Sequence, residues 1–419
     1  MIWFLVIIIG VTLYLHLPAP DSSDKEPTLI EPEPLNYDFQ RSQALHYLNR
    51  LRNATGLIPL QREPILETAA QNHARYLIEN DQLSHTQIRT DKSFTGVTPA
   101  DRAIYTGYRS NFVTENISTN NRDYKASIDN LFSAIYHRFA FLDFKIDQIG
   151  IGLLQNSTQR SDIAYVYNMG LSSINRLCGG ETFQGQGKYI YGICKDKNYK
   201  IKASRYTSAV SNVGLRNRKV VVYPYDEQKD VPPAFFDEIP DPLPNHRVSG
   251  FPISVSFNTA YFKKIEILSF ELYDQKRQKV SNTLLFDHTS DPHGKFKKFE
   301  YALFPLERLA WNSKYDVKLR YKANGKKEEK NWSFYTTSFE DKLHTVTPQN
   351  NTFTISRNIS SVFYLKPSSR TDILDNIHFP SYMYISFIDL NTIRVTATSD
   401  APDHVNLVFG EHSLNLTIE

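Results

Sequence analysis

Cysteine is nearly absent: Cys178 and Cys194 are the two in 419 residues. That excludes a disulfide-dense scaffold and a cysteine-built zinc site, which needs more ligands at short spacing. Five glycines lie between the two, so the loop can fold back and let the sulfurs meet. Closed, it would stabilise the fold by about 3 kcal/mol in the chain-entropy model. Two free thiols are the alternative. Charge of one sign is also missing. Lys and Arg number 48 against 45 acids, a net of +3, with no long basic stripe. The lysines between 322 and 330 are interleaved with Glu328 and Glu329, as at a solvated hairpin tip. A nucleic-acid partner would want a concentrated positive footprint, so none is expected.

Familiar catalytic signatures are missing too. No G-x-S-x-G elbow exposes a serine, and no H-E-x-x-H helix marks a metallopeptidase. Neither cysteine sits in a recognisable Cys–His setting. The only long apolar run, MIWFLVIIIGVTLYL at the N-terminus, falls short of the roughly 20 residues of a comfortable bilayer span. It reads as a signal peptide or an uncleaved anchor. No positive side chain precedes it, and the small-residue exit at Ala19 is flanked by prolines. Export is expected, with anchoring and release both open. An uncleaved segment would give the chain its membrane contact.

What remains is ordinary folded protein: 41% apolar, 22% charged and 13% aromatic. The length calls for more than one core. We divide the chain into a signal or anchor (1–20), a proline- and acid-rich spacer (21–38), a first domain (39–245), a β-sandwich of immunoglobulin-like size (249–338) and a small β domain (346–419). Helical spacing predicts helices over about 37–55, ended by Gly56, and 63–80, with Pro64 in the first turn. Thr98, Pro99 and Asp101 predict the capped start of a third, stopped at Gly107. Ile128, Leu131, Phe132 and Ile135 mark a fourth, over 123–137. IGIGLL, AYVYNM and VVVYPY then read as strands, and VPPAFFDEIPDPLP as an extended segment packing on the first domain. From 249 onward strand signals dominate, with Asn324-Gly325 as a hairpin turn.

Three residues are candidates for chemistry: His85 in LSH, Glu115 in TENIS and His137 in IYHR. Imidazoles and a carboxylate are common ligands of divalent cations. Asp129 precedes His137 by eight residues, which puts the two on roughly one side of the fourth predicted helix. His73, on an apolar stripe, reads as packing. Arg102 reads as a surface or ion-pair residue.

The pieces NRLRNATGLIPL, LETAAQNHARYLIENDQLSH, GVTPADRAIYTGY, TENIS and AIYHRFAFLDFKIDQIGIG, in this order, resemble the CAP domain of cysteine-rich secretory proteins, antigen 5 and pathogenesis-related proteins, in its bacterial branch. The resemblance covers about 40–245. It implies an α/β fold, an α-β-α sandwich, followed here by β-sandwich modules. It also implies a cleft of two histidines and two acids. His85, Glu115 and His137 match three of these. The second acid is replaced by Ala134, and Asp129 is the substitute we assign. The expected occupant is a divalent metal, zinc or calcium, with no organic cofactor. The expected role is binding a metal, a lipid or an envelope partner in an extracytoplasmic bacterial setting, periplasmic, anchored or secreted. A metal-dependent hydrolase acting on peptide or cell-wall material is the alternative, so enzymatic activity is left open.

Overall fold

A computed structural model describes residues 33–236, 238–374 and 379–419. The N-terminal apolar run and most of the spacer lie outside the described residues. Among those described, no helix is long and apolar enough to cross a membrane. The chain forms two compact units, one over 30–342 and 366–373, the other built from 343–365 and 374–419.

The first unit begins with three helices whose ends the sequence dictates. In α1 (Tyr37–Thr55) Asn36 accepts the Phe39 N–H, and Gly56 closes the helix at φ +86. Helix α2 (Pro64–Glu79) starts on a proline, which lacks a donor where none is needed. Helix α3 (Pro99–Tyr105) has a reciprocal Thr98–Asp101 capping box. Strands β1 (Gln61–Arg62), β2 (Val113–Thr119), β3 (Gln148–Gln155) and β4 (Ile163–Gly170) form a sheet in the order β1-β3-β4-β2. The β1–β3 pair is parallel and the others antiparallel.

Strand alternation makes this sheet the middle of three layers. Tyr165, Tyr167 and Met169 of β4 pack with Leu48 and Leu51 of α1 and with Ile128, Leu131 and Phe132. Ala164 and Val166 point the other way, onto Ala70, Ala74 and Leu77 of α2. The glycines of IGIGLL explain how closely α2 approaches. A Cβ at Gly150 would stand 2.0 Å from the Glu67 nitrogen, and one at Gly152 would stand 2.2 Å from the Ala70 carbonyl carbon. This is the expected α-β-α sandwich.

The fourth predicted helix is two helices. α4 (Tyr124–Ser133) ends at Ala134, whose ψ of 117 is extended, and α5 (Ile135–Phe141) starts afresh. The break has a physical cause. Glu238, from the proline-rich segment, accepts the N–H groups of Ile135 (2.6 Å) and Tyr136, capping α5 from outside.

Helices α6 (Ser172–Leu177) and α7 (Ala203–Leu215) follow, with a short hairpin of β5 (Tyr189–Ile190) and β6 (Ile201–Lys202) between them. Cys178 and Cys194 are joined by a disulfide. The chain then enters a β-sandwich earlier than the 245/249 boundary we expected. Strand β7 (Val220–Tyr223) pairs with β11 (Ile253–Phe257), and β8 (Gln228–Val231) pairs with β16 (Lys326–Thr336). Between them in sequence lie β9 (Ala234–Phe235), β10 (Ser249–Gly250), β12 (Ile265–Tyr273), β13 (Thr283–Phe286), β14 (Glu300–Pro305) and β15 (Lys314–Ala323). The sheets run β13-β14-β11-β7 and β12-β15-β16-β8, so residues 220–231 supply one strand to each. Asn324 and Gly325, both at positive φ, make the expected hairpin between β15 and β16. One hydrophobic core runs from α1 through Tyr223 and Phe251 to Val317 and Phe334.

In the second unit, β17 (Lys342–Val346), β18 (Thr352–Ile355), β19 (Ser361–Leu365), β20 (Met383–Asp389), β21 (Thr392–Ala397), β22 (His404–Phe409) and β23 (His412–Ile418) form sheets ordered β17-β19-β21-β20 and β18-β23-β22. Phe363, Val395, Leu407 and Leu416 lie in its core.

Arg138 ties α5 to the sandwich. It is fully buried, donates to the carbonyls of Phe132, Ser133 and Pro252, and lies over the rings of Tyr223 and Phe251. Burial pushes its pKa down to about 9, so it is still charged at neutral pH. Replacing Arg138 by Met strands those carbonyls without donors. We expect a loss of about 2–4 kcal/mol in urea unfolding of the full chain.

Candidate functional site

Strand β2 is the open edge of the first sheet, and its alternation builds the site. Glu115 points to the α2 side, and the next residue, Asn116, points to the opposite face and donates to the His137 carbonyl at 2.9 Å. One strand therefore holds parts of two layers at one edge.

Glu115 is buried beneath a ring of donors. Arg102, also fully buried, gives it both bonds of one guanidinium nitrogen, at 2.8 and 2.7 Å. In the amide orientation that satisfies both its ends, Asn168 donates to Oε2 at 3.0 Å and accepts from the Ala70 N–H. His85 donates Nδ1–H to Oε1 at 3.0 Å. Burial pushes the Glu115 carboxyl up, but the His85 hydrogen bond and the neighbouring positive charge outweigh it and hold it below the usual range.

His85 rides on the loop after α2, and buried groups fix that loop. His73 donates Nε2–H to the Ser84 carbonyl (3.0 Å) and accepts from Gln87 at Nδ1 (2.9 Å). Those roles require the neutral tautomer, and burial pushes its pKa down to about 4. Arg102 adds a bond from its other nitrogen to the His85 carbonyl, at 3.1 Å. His73 thus packs, as expected, and also positions.

A second pair faces the first. His137 donates Nδ1–H to Glu238 Oε2 at 3.0 Å. The two imidazoles lie face to face, with ring centroids 6.4 Å apart and planes 27° from parallel. The side chain of His85 is 48% exposed and that of His137 is 16% exposed. Among the described residues Glu238 has no arginine bonded to it, and burial raises its pKa above the ordinary value despite the His137 bond.

The structure brings together His85, Glu115 and His137 but corrects the set of four. Asp129 lies on α4, where Tyr47 and Lys125 bond its two oxygens. The break at Ala134 removes the shared helix face on which its assignment rested. Glu238 stands in its place. Glu115 is itself no free ligand, because Arg102, His85 and Asn168 occupy its oxygens. Among the described residues, no group of three or more His, Cys, Asp or Glu is arranged to hold a metal ion. Sequence reasoning missed Glu238, although an acid inside FFDEIPDPLP, apolar and without helix or central-strand potential, is a signal of a tethered carboxylate. Arg102 is the ion-pair partner and is wholly interior.

The α-β-α sandwich agrees with a match to one known family. Residues 45–169 match the family described as CAP: Cysteine-rich secretory protein family. This stretch is a CAP domain. Solved structures similar to the chain include an outer surface protein from Borrelia burgdorferi, at 19% identity and a TM-score of 0.29, covering 33% of this chain and 97% of that one. An extracellular protein containing a SCP domain from Bacillus anthracis str. Ames is also similar, at 19% identity and a TM-score of 0.28. The match covers 33% of this chain and 44% of that one. Comparison with curated proteins returns no match. The Cys178–Cys194 disulfide is of a kind that persists outside the reducing cytosol, in keeping with an extracytoplasmic chain.

The two acids differ in how they couple to pH. Glu115 has a lowered folded pKa, so its contribution is complete above the ordinary carboxylate range and fades as pH falls through the folded value. Glu238 has a raised folded pKa, so its contribution is complete below the ordinary value and is lost as pH rises through the folded one. Glu115→Gln leaves Arg102 buried and unpaired and should cost about 3–5 kcal/mol at pH 7. Urea unfolding at several pH values should show that gap narrowing on acidification. The gap for Glu238→Gln should be smaller at pH 7 and widen in acid.

Proposed function

We propose that the chain is an extracytoplasmic binding protein whose CAP domain presents His85 and His137 to a divalent cation shared with an envelope partner. One observation carries the reading. Each histidine commits Nδ1 to a buried carboxylate, and neither Nε2 has a hydrogen-bond partner among the described residues. A carboxylate behind an imidazole fixes its tautomer and raises its basicity, which is how metal-binding histidines are supported. The donor set suits zinc better than calcium, which wants an oxygen cage. His85 and His137 would hold the ion, with Glu115 and Glu238 staying behind them. Bound zinc would supply Lewis-acid charge and positions open to a partner's carboxylate, imidazole or water. The N-terminal apolar run suits anchoring at, or export across, a bacterial inner membrane.

Calorimetric titration of the purified full chain with Zn²⁺ at near-neutral pH tests this. Measurable heat is expected for the unchanged chain and its loss for H85A/H137A. Equal heats in both would sink the reading. Co-purified lipid with no zinc heat would replace it with lipid binding.

A second reading, the metal-dependent hydrolase, draws on the unequal acids. A carboxylate held ionised beside one with a raised pKa is the pairing that acid–base chemistry uses. Turnover of a peptide or cell-wall substrate that is abolished by H137A and by Glu238→Gln, with zinc binding intact in the latter, would favour it.

A further inference from the structure

The chain's excess positive charge is concentrated in one segment that contains neither histidine–carboxylate pair. Residues 176–205 hold seven Lys and Arg against two acids, whereas the whole chain is only +3. The remainder is therefore slightly negative. This segment is also well held. The disulfide closes it, and hydrogen bonds from Lys195 N–H to the Arg109 carbonyl (2.9 Å) and from Asn111 N–H to the Ile193 carbonyl (2.8 Å) stitch it to the CAP domain.

A groove of about 700 Å³ runs between α6, the disulfide loop and one face of α7. Ser173, Arg176, Glu181, Arg205, Ser208 and Asn212 line it. Among the described residues, neither the Arg176 nor the Arg205 guanidinium has an ion pair or side-chain hydrogen bond. Glu181 is the carboxylate on this wall. Beside the groove stands the β5–β6 hairpin. Tyr189 (43% exposed) and Tyr191 (67% exposed) project from it, and Lys200 lies 4.7 Å over the Tyr189 ring. Lys202, across the strand pair from Tyr189, leads directly into the α7 residues of the groove wall.

We propose that this groove and hairpin bind an anionic polysaccharide, a chain of pyranose rings carrying carboxylate or sulfate groups, at a site separate from the histidine cleft. The residue types match its parts. A guanidinium takes a carboxylate or sulfate with two parallel hydrogen bonds. Serine and asparagine side chains suit sugar hydroxyls. An exposed tyrosine offers an apolar ring face to the C–H face of a sugar and a polar tip to its edge. The lysines supply the long-range, salt-sensitive attraction of a polyanion. A concave site of this size fits a few linked rings. A flat anionic bilayer makes no use of a groove, and its insertion would want tryptophan or long aliphatic side chains among the lysines.

Affinity electrophoresis of the full chain through gels containing polygalacturonate or neutral dextran tests the proposal, with flotation on phosphatidylglycerol vesicles in parallel. Retardation by polygalacturonate at low salt is expected, and none by dextran. Losing two charge contacts in R176A/R205A should weaken binding by about tenfold or more. Y189A/Y191A should weaken it less, and H85A/H137A should leave it unchanged. All four of the first two sets of side chains are exposed, so unchanged melting curves are expected. The proposal is overturned by equal retardation of R176A/R205A and the unchanged chain, by loss of binding in H85A/H137A, or by vesicle flotation without retardation.

Discussion

Glu115 carries its charge into a place that offers it no water. A buried carboxylate is tolerated only when cations and donors surround it, and meeting that demand organises the first half of the molecule. Arg102 must be interior, so α3 has to dock with its charged side chain inward. Asn168 of the neighbouring strand has to face α2, which sets the register of β2 against β4. His85 has to turn its Nδ1 inward, so its loop is tied down from below by His73 and from the side by Arg102. The exposed imidazole is thus the outermost member of a network whose inner members are ionic.

The opposite wall is built on a different balance. Among the described residues Glu238 has no arginine partner, and its donors are the first N–H groups of α5 and the ring of His137. The partial positive charge of a helix start is weaker than a guanidinium, so burial prevails there and the carboxyl is raised rather than lowered. Two similar-looking histidine–acid pairs therefore answer differently to protons. A cation bound between the imidazoles would meet a carboxylate already paired with Arg102 on one side and a titratable one on the other.

Helix ends were legible in the sequence wherever the cap is local. Gly56, Pro64 and the Thr98–Asp101 box each act within a few residues, and each marks its end as expected. The fourth helix was misread because its interruption is non-local: nothing between Asp123 and His137 demands a break, and the carboxylate that makes one lies 103 residues beyond Ile135. Strand β2 escaped notice for a related reason. VTENIST lacks apolar alternation because its inward positions hold Glu115, for the site, and its neighbour Asn116, for the His137 backbone. The start of the sandwich was hidden because β7 and β8 belong to sheets whose other strands come later. Three of the cleft's four polar residues were found through a family pattern, and spacing alone would not have joined them.

The sandwich is more than a spacer behind the CAP domain. Consecutive residues of an α-helix point about 100° apart, and α5 uses three of them for three tasks. Tyr136 donates to Asp291 and packs edge-on against Phe296, both from the β13–β14 connection. His137 faces the His85 ring. Arg138 reaches the Pro252 carbonyl just before β11. The helix is short, and its N-terminus is capped by a segment that itself bridges the two halves. Among the described residues, the hydrogen bond that ties the imidazole's residue to the CAP sheet runs from Asn116 to the His137 backbone carbonyl, not to the ring. Its ring is aimed from the other side, by Glu238, and the helix that carries it is held to the sandwich through Tyr136 and Arg138. A CAP domain excised at residue 169 would keep one wall of its cleft and lose what orients the second.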